Sequence, residues 1–393
     1  MSFIRQRQVN GKATRNDVAI LCCVTLVVLL PVFVLSYDRS YLRKWFPEPP
    51  APLILAGNTG WVLRATFSPD NKMVACLDDK QVSLWDTKTG FLLRAFPLGH
   101  TPGALGLLST TFSPAFSPDG TLLAFVDTRN FQGRKGSEKV EEVKLWDVRT
   151  GALQRVLQGH GPQRISPKYV PQASQLTFST DGKTLATVFS DKSHSNVKLW
   201  DVRTGALRRT WNRPVEKAHS ITFSPDGKTL AIGGEPNKLR LWDVKTGQLL
   251  RTLNSPIDSV MLIFTPDGKS LRNSGAMSPD FLEAGVETWD VKTGRLRTTL
   301  RGFQHYVALA ANGKMMAARP MSSPKDRHAV QPICLFEAET GKLVQTLSGR
   351  QPGANVRGLS PDGTTVLSFH AVGFLPNGGP IIEGNLWRYE KSR

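Results

Sequence analysis

The sequence predicts an all-β fold of repeated four-stranded antiparallel units, preceded by one apolar helix. Three observations predict it. The phrase LWDVRTG stands unchanged at residues 145 to 151 and 199 to 205, and LWDVKTG follows at 241 to 247. A second phrase, Ser-Pro-Asp-Gly or a near variant, alternates with the first along most of the chain. The 393 residues also include 34 Gly and 26 Pro, which calls for many turns and therefore short strands. A catalytic site is built once, from different residue types that converge in space, so verbatim repetition argues for architecture.

From the N-terminus, residues 1–17 form a short basic tail with Arg5, Arg7, Lys12 and Arg15. Residues 18–36 are expected to be a transmembrane helix or signal anchor: Val18 to Leu35 carries no charge, and a membrane-crossing helix needs ~20 such residues. Positive charges before the run slightly favour a cytoplasmic N-terminus, which makes the expectation a single-pass membrane protein with its β domain extracytoplasmic. The alternative is a signal peptide cleaved near Val34-Leu35-Ser36, giving a secreted chain. Residues 37–51 are a juxtamembrane segment with Tyr37, Tyr41, Trp45 and Phe46, running into the proline-rich spacer PEPPAP. Four cysteines are too few for a disulfide scaffold at this length.

Residues 52–393 carry the two alternating phrases. The turn phrase begins at Ser68, Ser117, Ser179, Ser224, Thr265 and Ser360, with a worn copy at Ala311-Asn312-Gly313. Ser accepts from the backbone, Pro fixes φ and Gly takes φ > 0, so each copy should join two antiparallel strands. The strand phrase follows at Trp85-Asp86, Trp146-Asp147, Trp200-Asp201, Trp242-Asp243 and Trp289-Asp290, then at Phe336-Glu337 and Trp387-Arg388. A Thr-Gly turn and a fourth strand come next, as in Gln248 to Leu253. The recurring Trp and Asp read as core packing and turn hydrogen bonding, not as base-stacking platforms.

This alternation resembles the WD40 β-propeller family over essentially all of residues 52 to 388. The resemblance implies a seven-bladed propeller of four-stranded antiparallel blades, one blade for each pair of phrases. A Gly-His dipeptide typical of the family stands at Gly99-His100 and Gly159-His160 only, and the Asp of the family's buried His–Ser/Thr–Asp–Trp network is mostly missing. Too few residues follow Trp387 for a fourth strand, so residues 52–57 are expected to complete the last blade and remove an open edge.

In such blades the short phrases share one end and the long inserts fall at the other. The inserts span residues 127–142, 159–171, 191–196, 273–283, 319–332 and 370–379, and irregular loops on a rigid scaffold are a usual place for recognition. They carry Arg129, Phe131, Arg134, Lys135, Arg164, Lys168, Tyr169, Lys192, Arg319, Lys325 and Arg327, the candidate partner-binding residues of a basic face. The plain alternative is a set of solvated loops in a chain of formal net charge +18. The turn end is basic too, through Lys88, Arg149, Arg203, Lys245 and Lys292.

No nucleophile elbow, phosphate-binding loop, zinc-protease helix or Cys-x-x-Cys pair occurs, and the seven histidines are scattered. The expectation is therefore a protein with no catalytic residues, cofactor or metal. As a WD40 relative it should act as a protein-interaction scaffold with protein partners; nucleic acid is not expected. Two other readings stay open: a small-ligand binder or enzyme using the channel, and an adhesin for anionic polymers.

Overall fold

In the computed structural model the chain divides into two units, Met1–Pro49 and Pro50–Arg393. The structure describes residues 52–55, 62, 64–78, 80–98, 113–133, 136–164, 175–190, 195–215, 218–235, 238–277, 283–321, 332–347, 355–374 and 380–389. The tail 1–17, the apolar run 18–36 and the segment 37–51 lie outside the described residues. Among the described residues no helix is long and apolar enough to cross a membrane.

All regular structure described is β. The first sheet is β2 (Arg64–Phe67), β3 (Met73–Leu77), β4 (Gln81–Asp86) and β5 (Leu92–Pro97), in that spatial order. The second is β6 (Ala115–Phe116), β7 (Leu122–Gly133), β8 (Gly136–Asp147) and β9 (Leu153–Arg164). The third is β10 (Gln175–Phe178), β11 (Thr184–Ser190), β12 (Ser195–Asp201) and β13 (Leu207–Val215). The fourth is β14 (Ser220–Phe223), β15 (Thr229–Glu235), β16 (Lys238–Asp243) and β17 (Leu249–Asn254). A seven-stranded sheet follows: β18 (Asp258–Phe264), β19 (Ser270–Ala276), β20 (Glu283–Asp290), β21 (Leu296–Leu309), β22 (Met315–Pro320), β23 (Cys334–Glu337) and β24 (Leu343–Thr346). The last sheet holds β25 (Asn355–Leu359), β26 (Thr365–Phe374) and β27 (Pro380–Arg388), and β1 (Leu53–Leu55) pairs with β27, Leu53 opposite Leu386.

The seven-stranded sheet departs from the expected four-stranded units for a local reason. β21 pairs with β20 from Leu296 to Gln304, then with β22 from Phe303 to Leu309. No turn phrase interrupts it, and Gly302 at φ 85° with a register shift between Gln304 and Ala308 lets one strand serve two neighbours.

Turn chemistry repeats along the chain. Gly120 N donates to Ser117 O at 2.8 Å, Ser117 Oγ donates to Asp119 Oδ1, and Leu122 N donates to Ser117 Oγ at 2.9 Å. In the strand phrase Asp147 Oδ1 accepts from Thr150 N at 2.6 Å and Thr150 Oγ1 at 2.7 Å, while Gly151 N donates to Asp147 O. The repeated Asp therefore works as a turn acceptor. The Thr150 N–H holds the Asp147 carboxyl below the usual carboxylate range.

Apolar side chains stack between consecutive sheets. Leu145 and Leu157 of the second sheet pack on Phe178, Leu185 and Trp200 of the third. Trp242 of the fourth lies against Val188, Val197 and Trp211 of the third. The order runs on through Trp289 and Trp387 and returns to the start, where Leu367 and Leu386 of the last sheet pack on Val74 and Trp85 of the first. The stacking is cyclic, which is the geometry of a propeller.

The indoles differ in what they donate to. Trp200 Nε1 donates to Thr187 Oγ1 and Trp387 Nε1 to Ser368 Oγ, both at 2.9 Å. Thr187 and Ser368 lie two residues past the strand partners of those tryptophans, Leu185 and Val366. The same register places Cys76, Phe125 and Ile232 beside Trp85, Trp146 and Trp242, whose Nε1 atoms have no acceptor among the described residues. Trp289 Nε1 donates instead to buried Glu287 Oε2 at 3.0 Å, which also accepts from Ser255 Oγ at 2.6 Å. Burial pushes the Glu287 carboxyl above its ordinary range against the pull of those hydrogen bonds.

Candidate interaction surface

The two ends of the β unit are built differently. At the turn end the first four sheets each contribute the same two turns. Lys88, Arg149, Arg203, Lys245 and Lys292 are all exposed there, one per strand phrase. The neighbouring aspartates are engaged: the Thr204 N–H and then Arg208 hold the Asp201 carboxyl well below the usual range, and Arg297 and then the Thr293 N–H do the same for Asp290. Arg94 Nη2 reaches Arg149 O at 2.9 Å in the next sheet, and Arg251 Nη2 reaches Lys292 O at 2.8 Å. These contacts clip successive sheets together. They are scaffold.

At the other end the second sheet outgrows the rest. β7, β8 and β9 each run for 12 residues, against four to nine in the third sheet. The segment 127–142, expected to be an irregular loop, is a continuation of the β7 and β8 ladder as far as Gly133 opposite Gly136. Its polar alternation without Pro supports a strand, and the glycines flank the return. β9 joins the extension, with Glu141 opposite His160 and Glu138 opposite Arg164.

A buried ion pair closes the base of this extension. Lys144 Nζ bonds Asp127 Oδ2 with both side chains almost fully withdrawn from solvent. Beneath it Phe125 stacks on Trp146 with ring centroids 6.0 Å apart, and Phe96 closes on Trp146 at 5.3 Å. An ion pair at this depth must be matched on both sides, because either charge alone would be stranded.

The extension brings several candidate residues together by register. Arg129 lies opposite Val140, and Phe131 opposite Glu138, which is itself opposite Arg164. Arg134 and Lys135, between Gly133 and Gly136, lie outside the described residues, as do Lys168, Tyr169, Lys192, Lys325 and Arg327. Arg319 needs a correction. It is not in a loop but in β22, opposite Gln304, with 7% of its surface exposed. It belongs to the interior.

A cavity of about 260 Å³ lies where the inner strands converge. Its wall takes residues from β2, β10, β14, β18, β21 and β25, and from Ser113 to Ala115 at the start of β6. It carries Arg64 and Arg357 but no carboxylate, with hydroxyl and amide groups from Thr66, Gln175, Thr177 and Thr222. Neither arginine stood out in the sequence, although each falls within four residues of a turn phrase and so on an inner strand.

With this geometry in hand, comparison with known proteins is specific. A WD domain, G-beta repeat model matches residues 52–86, and the WD40 domain model of anaphase-promoting complex subunit 4 matches residues 208–265. The chain carries WD40 repeats. Its WD40 repeats are 27% identical over 45% of the chain to the U3 small nucleolar RNA-associated protein 12 of Saccharomyces cerevisiae. They are 25% identical over 38% of the chain to the small ribosomal subunit protein RACK1 of Drosophila melanogaster, and 24% identical over 40% to the guanine nucleotide-binding protein subunit beta of Arabidopsis thaliana. The matches cover 16%, 54% and 48% of those relatives. The expected membrane-anchored, extracytoplasmic or secreted location is thus corrected on two grounds: no described helix can span a bilayer, and the relatives carry nucleolar-RNA and ribosomal-subunit names. The WD40 match supports a scaffold that binds protein and indicates no enzyme family.

Proposed function

We propose that this WD40 protein is a seven-bladed, non-catalytic scaffold that docks a protein partner on the extension of its second blade. The count of seven takes the seven-stranded sheet as two blades, with β21 as the outer strand of one and the inner strand of the next. The cyclic order of the apolar clusters and the pairing of β1 with β27 support a closed ring. The single observation that carries the docking reading is the three-stranded extension, in which three neighbouring strands each run for 12 residues.

On this reading Arg129, Phe131 and Arg164 form the centre of the contact, with Arg134 and Lys135 at the return of the hairpin. Lys168, Tyr169, Lys192, Lys325 and Arg327 add contacts from other inserts. An aromatic and arginines close together are the residue types that dominate protein interfaces. Affinity capture of the full-length tagged protein, read by mass spectrometry, tests it beside an Arg129→Ser/Arg164→Ser variant. A stoichiometric protein recovered with the parent and lost with an equally stable variant supports docking on the extension; equal recovery by both overturns it.

The net charge of +18 and the RNA-related names of two relatives favour a second reading, assembly with a ribonucleoprotein. Phosphate contacts release counterions, so its signature is an affinity for RNA that falls steeply as salt rises. A complex indifferent to salt would exclude it.

A further inference from the structure

The seams between blades at the turn end are closed in different ways, and the seam between blades two and three stands open. At the seam before it, Arg94 of β5 reaches Arg149 O, and its Cδ lies 2.7 Å from where a Cβ on Gly151 would stand. Arg251 of β17 closes on blade five in the same way, with Nη2 on Lys292 O and Cδ 2.6 Å from a Cβ on Gly294. Arg155 holds that place on β9, but its Cδ is 3.3 Å from a Cβ on Gly205, and among the described residues it bonds no carbonyl of blade three. Between blades three and four the Trp211 indole fills the space beside Gly247. Blade two carries the smaller Leu157 at the equivalent register, opposite Val143 as Trp211 is opposite Val197.

A cleft of about 880 Å³ occupies the open seam, within the ~300–1,000 Å³ of ligand sites. Its floor is apolar, from Leu122, Leu145 and Val202, and its walls are polar. Strand order sorts the charges along it. The inner turns, β6 to β7 and β10 to β11, supply Asp119 and Asp181, whereas the outer turn and strands supply Arg155, Arg203 and Arg208. Arg208 is paired with Asp201, Lys183 stands beside Asp181, and Asp147, between the two groups, has Arg149 beside it. Asp119 Oδ1 is held within its own turn by Ser117 Oγ and by Thr121 N at 3.0 Å. That leaves Asp119 Oδ2 at the inner end and the Arg155 and Arg203 guanidinium groups, both exposed, at the rim.

We infer that the seam between blades two and three is a docking cleft for an extended peptide of mixed charge, with a Lys or Arg side chain on Asp119 and an Asp or Glu side chain on Arg155 and Arg203. From the inner turn to the outer strand is two to three strand spacings, ~10–14 Å. An extended chain covers ~13 Å in four residues, and residues four apart face the same way. The cleft therefore selects a basic and an acidic residue four apart. Guanidinium groups match a carboxylate with paired donors, and the apolar floor takes the side chain between the charges. The inference rests on the scaffold reading only for the ligand being part of a protein. Its cleft lies at the turn end, away from the extension of blade two.

Selection of a random nonapeptide display library on the immobilised full-length protein tests it. The expected result is enrichment of peptides with a basic and an acidic residue four apart. Synthetic copies, followed by fluorescence anisotropy, should bind Arg155→Glu and Asp119→Asn about tenfold or more weakly. Lys245→Glu, at the turn position of blade four that Arg203 holds in blade three, should leave them unchanged. Asp119→Asn keeps the Oδ1 acceptor of its turn, thermal melts show whether each variant folds, and the exposed Arg155→Glu decides the matter if Asp119→Asn does not. No enrichment, enrichment of peptides without the charge pair, or an equal loss in Lys245→Glu would overturn the proposal. Peptides lost with Arg129→Ser/Arg164→Ser and kept by Arg155→Glu would also overturn it, and would place their site on the blade-two extension. Partner capture through Arg129 and Arg164 would survive the failure of the cleft.

Discussion

Blade two and blade three share the phrase LWDVRTG to the letter, yet they end differently. In blade three Trp200 donates to Thr187 and the strands stop soon after the ring's ordinary length. In blade two the corresponding position is Phe125, the indole of Trp146 has no acceptor among the described residues, and the strands run on past a buried Lys144–Asp127 pair. The contrast teaches that the repeated phrase specifies the turn and the strand that follows it, while residues at the far end decide what each blade presents. One blade closes its core with a hydrogen bond. The other uses aromatic stacking and an ion pair, and carries an extension above them.

The largest expected effect breaks the base of that extension. Lys144→Met leaves Asp127 buried without its cation and should cost about 3–5 kcal/mol, read as a shift in the denaturant midpoint; Lys144→Met/Asp127→Leu should recover much of it. A single variant as stable as the parent would mean that the pair does not support the blade.

Next comes a comparison between two turn glycines. Gly90 and Gly120 have φ of 74° and 72°, but a Cβ at Gly90 would meet Ile54 O at 2.6 Å whereas one at Gly120 finds only Pro69 Cδ at 3.8 Å. Gly120→Ala should cost about 1–2 kcal/mol from its backbone conformation alone. Gly90→Ala should cost more, because it also forces β1 away, and thermal melts of the pair separate strain from crowding.

A smaller effect tests the indole. Thr187→Val removes the acceptor of Trp200 and should cost about 1–3 kcal/mol, whereas Ile232→Val beside Trp242 should cost only the ~0.5–1.5 kcal/mol of a lost methylene. Similar losses in chemical denaturation would show that the Trp200 bond adds nothing.

The smallest effect is in pH dependence. Because burial raises the folded pKa of Glu287, the folded state holds a proton that the unfolded chain releases near the ordinary glutamate value, so this group makes stability fall as pH rises above about 4.5. Glu287→Gln should flatten that fall while keeping an acceptor for Trp289. Parallel stability curves for parent and variant from acid to neutral pH would refute it.

Much of this fold was legible because its chemistry is local. Ser117, Asp119 and Gly120 satisfy one another within a few residues, as do Asp147, Thr150 and Gly151, so each phrase announced its turn. The extension was missed because its strands carry few apolar residues, and a polar stretch such as Gly136 to Glu142 reads like a loop until its partner is known. Arg319 was misplaced for the opposite reason: a charged residue at a strand end looks exposed, and only the fold shows it is buried. Arg64 and Arg357 needed two non-local facts, that inner strands converge and that β25 carries a bulge.

The pairing of β1 with β27 also fixes an order of events during synthesis. Leu53 leaves the ribosome long before Leu386, its partner, so the first strand must wait unpaired while every intervening blade is made. Contacts of such long range are slow to form, and the intermediate exposes both the strand edge of β27 and the apolar face that Leu55 covers. Ring closure is therefore the step at which a chaperone or a destabilising substitution would act most strongly, and a variant such as Gly90→Ala should show its defect in the yield of folded protein before it shows it in the finished ring.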